Sequence, residues 1–134
     1  MTIDFFENYF SAYEVYISDV VLLEINKTHD ENKRQKLLQV IDDYPFIILE
    51  AEEDERILML SDLYIKEKTI PKKKIEDAIH IAVCTVFELD ILLSWNFKHL
   101  SNMHKETLIN AINEKEGYWK KLHLMSPLEA LYED

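Results

Sequence analysis

One stretch, residues 75–100, constrains the fold more than any other part of the chain. Its first half places apolar residues at the spacing of a helix buried on more than one side: Ile75, Ala78, Ile79, Ala82, Val83, Val86 and Phe87. After a brief polar gap comes a short apolar run, Ile91–Leu93, which is typical of a strand covered on both faces. Such strands usually belong to parallel sheets, so the stretch predicts a buried helix, a tight turn and a strand of an α/β sheet.

The length and residue types predict a single soluble domain. The 134 residues are enough for one domain with a core, and we expect it to span 1–134. The chain contains one glycine and three prolines, so it should be mostly helix with short strands. No apolar run approaches the ~18 residues of a membrane span, and Asp4 and Glu7 stand where a signal peptide would be basic and then apolar. We therefore expect a cytoplasmic protein without membrane contact.

Cys84 is the only cysteine and lies within the apolar helical segment. No intrachain disulfide is possible, and a lone cysteine in such a segment is predicted to be an inert buried thiol. This fits a reducing compartment.

The formal net charge of −11 argues against broad electrostatic capture of nucleic acid, because that affinity comes mainly from Lys and Arg on phosphates. Any nucleic-acid contact must use a local patch. The densest basic cluster is Lys72, Lys73 and Lys74, which follow Pro71. A solvated loop explains the three lysines at least as well as a phosphate contact does.

Local signals divide the rest of the chain into short elements. The pattern predicts helices over residues 3–12, from a cap at Ser18, over 30–43, from the acidic run after 49 to about 68, and over 102–115 before Gly117. Strands are predicted at 14–17 and 122–125, a strand or extended connector at 45–49, and a terminal helix from the capping box Ser126–Glu129.

Three polar residues stand out against apolar surroundings. Asp77 lies in the first turn of the central helix, and Asn96 lies just past the carboxyl end of the strand, where open α/β sheets bind ligands. Glu24 is embedded in the apolar segment that follows Ser18. Burying an unpaired carboxylate costs several kcal/mol, so Glu24 is expected to meet a cation or a partner. The alternative is a carboxylate at the helix edge that faces water.

The run Asp-Ala-Ile-His-Ile-Ala from Asp77, followed by Asp-Ile-Leu-Leu-Ser-Trp-Asn-Phe-Lys-His-Leu from Asp90, resembles the C-terminal half of a PIN domain, the nuclease fold of VapC-type toxins. The resemblance implies an α/β, PIN-like three-layer fold, with a short mainly parallel sheet flanked by helices. In that family a strand and helix with the Ser-x-x-x-x-x-Glu arrangement carry the second metal-site acid, and Glu24 matches this position.

The resemblance also implies a function, that of a Mg²⁺- or Mn²⁺-dependent endoribonuclease. Glu24, Asp77 and Asn96 would be its metal-binding and catalytic residues, and Lys72–Lys74 would contact the RNA phosphates. The family often has Asp where this chain has Asn96, which lowers the charge available for a cation. The implied partners are RNA, an antitoxin protein and a second copy of the chain. His80, one turn after Asp77, is interpreted as a satisfied helix histidine because Mg²⁺ takes oxygen ligands.

The chain departs from the family at its start. PIN domains open with a central strand that ends in the principal metal-binding Asp. Asp4 is followed by the amphipathic segment 5–10, so it occupies the family's first helix, and the first central strand is expected to be missing. Its neighbours would then recruit a strand or a partner. A degenerate, non-catalytic PIN module that acts through protein association is therefore the alternative, and a small helical protein without nuclease ancestry is a third interpretation.

Overall fold

The computed structural model describes residues 15–44, 46–93 and 99–125. The predicted helix at 3–12, Asp4, Asn96 and the capping box Ser126–Glu129 lie outside these described residues. The chain divides into two compact units, residues 1–52 and residues 53–134. The expectation of one domain over 1–134 stays a prediction.

The first unit contains a pair of parallel strands joined by two helices. Its elements are β1 (Tyr16–Ser18), α1 (Asp19–Asn26), α2 (Glu31–Asp43) and β2 (Ile47–Leu49). Tyr16 lies opposite Ile47 in the parallel register, so the strand alternative for the 45–49 segment is confirmed. Ser18 caps α1 as predicted, because its side chain accepts a hydrogen bond of 3.3 Å from the Val21 N–H.

The prediction that α1 is a buried segment is wrong. None of its residues is fully buried, and Leu23 is 39% exposed. Each strand of the sheet beside it has only three residues. A sheet of that size can cover only part of a helix that is apolar nearly all round.

The second unit is built around a pair of packed helices. Its elements are α3 (Glu55–Lys66), a 3₁₀ turn (Lys72–Lys74), α4 (Ile75–Val86), β3 (Ile91–Leu93), α5 (His99–Lys115) and β4 (His123–Met125). Helices α3 and α4 pack against each other, and α4 buries most of its residues. Strands β3 and β4 pair in parallel, with Ile91 opposite His123, so the predicted parallel pairing of the 91–93 strand is confirmed.

Four predicted core positions in this unit are wrong in detail. Ile75 is 37% exposed, although its spacing groups it with the buried residues of the central helix. Leu108 is 40% exposed, although the sequence pattern of the 102–115 helix predicts that it faces inward with Ile109 and Ile112. Ile91 and Leu92 are half-buried and not covered on both faces, since among the described residues β3 pairs with β4 alone. The described residues therefore form a mixed α/β structure of five helices and two small parallel sheets. None of these helices combines the length and apolar character that a membrane crossing requires.

Three helices of the second unit end in the same way. The residues just past α3, α4 and α5 adopt positive φ: Lys68 at 62°, Glu88 at 56° and Gly117 at 91°. In each case the next N–H reaches back to a carbonyl in the last turn, as in the bond of 2.8 Å from Leu89 N to Cys84 O. This is the Schellman arrangement that satisfies the last carbonyls of a helix. The sequence signalled only the third of these ends, because only Gly117 is a glycine.

We expect Glu88→Gly to stabilise the protein. Glu88 is exposed and holds a left-handed backbone conformation that is strained for a residue with a Cβ, so glycine should raise the free energy of unfolding by about 0.5–1 kcal/mol. Urea unfolding measures the change. Glu116→Gly is the matched control, because Glu116 is exposed at the end of α5 without a positive φ. Glycine should lower stability there, and equal effects at the two positions would contradict the prediction.

A buried triangle of polar side chains links the last turns of α3, α4 and α5. The Tyr64 hydroxyl donates to Asn113 Oδ1 at 2.5 Å and lies 3.3 Å from Thr85 Oγ1. Asn113 Nδ2 donates to Thr85 Oγ1 at 3.1 Å. All three residues are buried, and burial raises the pKa of the Tyr64 hydroxyl well above its usual value. The triangle satisfies its own polar atoms and fixes three helix ends to one another.

Candidate functional site

The clearest charged feature of the second unit is the turn Lys72–Lys74, called here the lysine turn. It follows Pro71 and closes with a hydrogen bond of 2.9 Å from Lys74 N to Pro71 O. All three lysines are exposed. Within the described ranges none of them forms an ion pair with an acid. The turn therefore presents positive charge to solvent on a chain with a net charge of −11.

The position of the lysine turn is electrostatically unfavourable for the helix that follows it. The turn runs directly into the amino end of α4, where the aligned peptide dipoles place partial positive charge. Cations near this end destabilise a helix, whereas acids such as Glu76 and Asp77 in the first turn stabilise it. Helix stability therefore does not explain the three lysines.

Asp77 is brought close to the lysine turn by the backbone itself. Lys74 is the N-cap residue of α4, and Asp77 lies in the first helical turn after it. The Asp77 side chain is half-buried, and His80 is half-buried one turn further along the helix. A carboxylate and three cations thus occupy two consecutive turns at one end of α4.

Glu24 belongs to the first unit, on α1 just before the helix ends at Asn26. It is half-buried, so its carboxylate is only partly shielded from water. Its backbone carbonyl accepts hydrogen bonds from Lys27 N at 3.2 Å and Thr28 Oγ1 at 3.4 Å. These contacts close the carboxyl end of α1.

A second acid of α1 has a role that the sequence did not reveal. One carboxylate oxygen of Asp19, Oδ1, accepts hydrogen bonds from the backbone N–H groups of Ala51 and Glu52 at 2.9 and 3.0 Å. These two residues follow β2, so Asp19 connects the start of α1 to the segment that leaves the sheet. Its sequence position, directly after the cap residue Ser18, indicates only an acid that complements the helix dipole. No local pattern indicates a bond across more than 30 residues.

The donor chemistry of Glu24 and Asp77 suits a hard cation. Mg²⁺ commonly uses one or two carboxylates and keeps several waters, and both residues offer partly buried carboxylate oxygens. In the part of the chain that the structure describes, no three His, Cys, Asp or Glu side chains are grouped as metal ligands. Asn96, the third predicted ligand, lies outside that part. The metal and catalytic roles of Glu24, Asp77 and Asn96 stay predictions, as do the phosphate contacts of Lys72–Lys74.

Cys84 is buried on α4, as predicted. Burial raises the pKa of its thiol to about 12, so the thiol is protonated at neutral pH and is not a nucleophile.

Comparison with known proteins gives no relative: no family model, no curated protein and no solved structure matches this chain.

Proposed function

We propose that this chain is a PIN-like protein of the VapC toxin type and that its ancestral activity is a Mg²⁺- or Mn²⁺-dependent endoribonuclease. The observation that carries the proposal is the position of half-buried Asp77 in the first turn of α4, directly after the exposed lysine turn. A metal-dependent phosphodiesterase needs both a carboxylate for the cation and basic groups for the phosphate backbone.

Each candidate residue has a role in this proposal. Asp77 would hold the cation directly or through water, Glu24 is the second acid that the family resemblance implies, and Asn96 would be a weaker ligand or position a water. The bound metal would activate water and neutralise charge on the leaving oxygen. The phosphates of the RNA are bound by Lys72, Lys73 and Lys74. An antitoxin protein and a second copy of the chain are the protein partners that the family resemblance implies.

The arrangement of the strands supports the PIN-like part of the proposal. Helices connect β1 to β2 and β3 to β4, and both strand pairs are parallel. Parallel strands joined through helices are the connection that an α/β sheet uses.

Titration with Mn²⁺ tests the proposed metal site. We expect isothermal titration of the wild-type chain to show saturable binding and the variant Glu24→Gln/Asp77→Asn to lose it, because the variant keeps the size of both side chains and removes both anionic ligands. The control Asp62→Asn/Glu67→Gln removes the same two charges from exposed positions on α3 and at its end. It should bind Mn²⁺ as the wild type does.

Equal Mn²⁺ binding by both double variants would contradict the proposed ligands. The alternative function, a non-catalytic PIN module, is favoured by the neutral Asn96 where the family often has an acid and by the net charge of −11, which opposes binding of nucleic acid. Absence of Mn²⁺ binding by the wild type, together with no cleavage of RNA, would decide for this alternative.

A further inference from the structure

Strand β2 of the first unit has unusually exposed apolar side chains. Strand β2 pairs with β1, and among the described residues no other strand pairs with it. Its first two side chains point to opposite faces, yet Ile47 is 40% exposed and Ile48 is 53% exposed. A free strand edge with apolar side chains on both faces is a template for pairing with another extended chain.

The backbone of Ile48 is the group that such a chain would meet. Ile47 N donates to Val15 O at 2.9 Å, toward β1. Because backbone groups of successive residues in a strand alternate between its two sides, the N–H and C=O of Ile48 point away from β1. No backbone partner of Ile48 lies within the described ranges. One donor and one acceptor are therefore available for strand addition.

The charge around β2 selects the kind of partner. Residues 42–52 contain four acids and no Lys or Arg, and these acids precede and follow the strand along the chain: Asp42, Asp43, Glu50 and Glu52. A second copy of the chain would bring the same four acids to this edge, and like charges placed opposite one another are destabilising. A segment with Lys or Arg on either side of an apolar centre would be attracted.

We propose that the free edge of β2 binds an extended protein segment with a β-branched apolar centre and basic flanks, which adds as a strand beside Ile47–Leu49. Main-chain hydrogen bonds to Ile48 supply the pairing, Ile47 and Ile48 contact alternate side chains of the segment, and the flanking acids attract its basic ends. Strand β2 belongs to the first unit, whereas Asp77 and the lysine turn belong to the second.

Binding of a synthetic peptide tests the proposal. The probe is a fluorescent peptide with alternating valine and threonine at its centre and a pair of lysines at each end, and the readout is fluorescence anisotropy. We expect saturable binding that weakens as salt rises, because exposed charges are screened. The same peptide with glutamate in place of lysine should not bind.

The variant Ile48→Pro gives the sharpest contrast. Proline removes the outward N–H and keeps the inward pairing of β2, which is why proline is tolerated on the open side of edge strands. Loss of this bond should weaken binding by at least about tenfold. A peptide N-methylated at alternate central residues makes the same test on the unaltered protein, so the result does not depend on how the variant folds. The variant Asp42→Asn/Glu50→Gln should weaken binding and its salt dependence while leaving the edge intact.

Three results would overturn the proposal. Equal binding of the methylated and unmethylated peptides would show that strand pairing is not involved. Equal binding of the glutamate peptide would show that the acids do not select the partner. Absence of peptide binding, with sedimentation showing a dimer that Ile48→Pro dissociates, would assign the edge to a second copy of the chain.

Discussion

The variant Asn113→Asp should destabilise the protein strongly at neutral pH. Asn113 is fully buried, and its side chain completes the triangle with Tyr64 and Thr85. A carboxylate at this position would be buried without a cation, in the last turn of a helix where the peptide dipoles already place negative charge. We expect the free energy of unfolding to fall by roughly 3–5 kcal/mol at pH 7, the range seen when a buried charge is left uncompensated.

The loss of stability in the variant Asn113→Asp should depend on pH in a defined direction. Burial raises the pKa of the new carboxyl group in the folded state above its value of about 3.9 in the unfolded chain. The folded state then binds the extra proton more tightly, so the difference from wild type is small below about pH 4 and grows as pH rises toward the folded-state pKa. When protonated, the group can accept from Tyr64 and donate to Thr85, as the amide does.

Urea unfolding at a series of pH values measures this result. The matched control is Asn32→Asp, because Asn32 is exposed in the first turn of α2. A negative charge there complements the helix dipole, so this control should be neutral or stabilising by about 0.3–1 kcal/mol at pH 7. If the free energies of unfolding of the two variants changed with pH in the same way, Asn113 would be solvated and the prediction would be wrong.

Neutralising the lysine turn should change stability and RNA binding in opposite directions. In the variant Lys72→Gln/Lys73→Gln/Lys74→Gln, three cations are removed from the amino end of α4, so the free energy of unfolding should rise by about 0.3–1 kcal/mol. If the turn contacts RNA phosphates, the affinity for RNA should fall. The slope of log K against log salt should also decrease by about 2, since each single-strand phosphate contact contributes roughly 0.7.

Fluorescence anisotropy with a labelled single-stranded RNA, in EDTA to prevent metal-dependent cleavage, measures the affinity and the salt slope. The variant Lys27→Gln/Lys33→Gln/Lys36→Gln is the matched control, because these lysines are also exposed and carry the same total charge. It should leave the slope unchanged. An equal loss for both variants would mean that only the overall charge matters, and no loss for the lysine turn would remove it from the proposed site.

Much of the local structure could be predicted from sequence because its causes lie within a few residues. Ser18 caps α1 through a bond to the N–H three residues later, and the helix over 30–43 begins after a similar cap at Asp30. The apolar run Ile91–Leu93 is a parallel strand, and Gly117 takes the left-handed conformation that its position after a helix requires. The candidate residues Glu24, Asp77 and Lys72–Lys74 could be named from residue type and spacing alone.

Other features depend on what a residue meets far along the chain. Asn113 pairs with Tyr64, which lies 49 residues earlier, and no pattern within α5 distinguishes it from an exposed helix asparagine. Asp19 could be assigned to a helix start, but its bonds to the backbone after β2 required the fold. Ile75 and Leu108 share helices with buried neighbours and are themselves exposed.

The sequence by itself determined the order of helices and strands, the caps at their ends and the residue types available for a metal and a phosphate, because these follow from backbone preferences and short-range hydrogen bonds. Only the tertiary structure decided which apolar faces are covered, which polar side chains satisfy one another in the core, and that Ile47 and Ile48 of the acid-flanked strand β2 are exposed. Burial and pairing depend on the size and position of distant elements. Strands β1 and β2 have three residues each, so they cover only part of the apolar surface of the helix beside them.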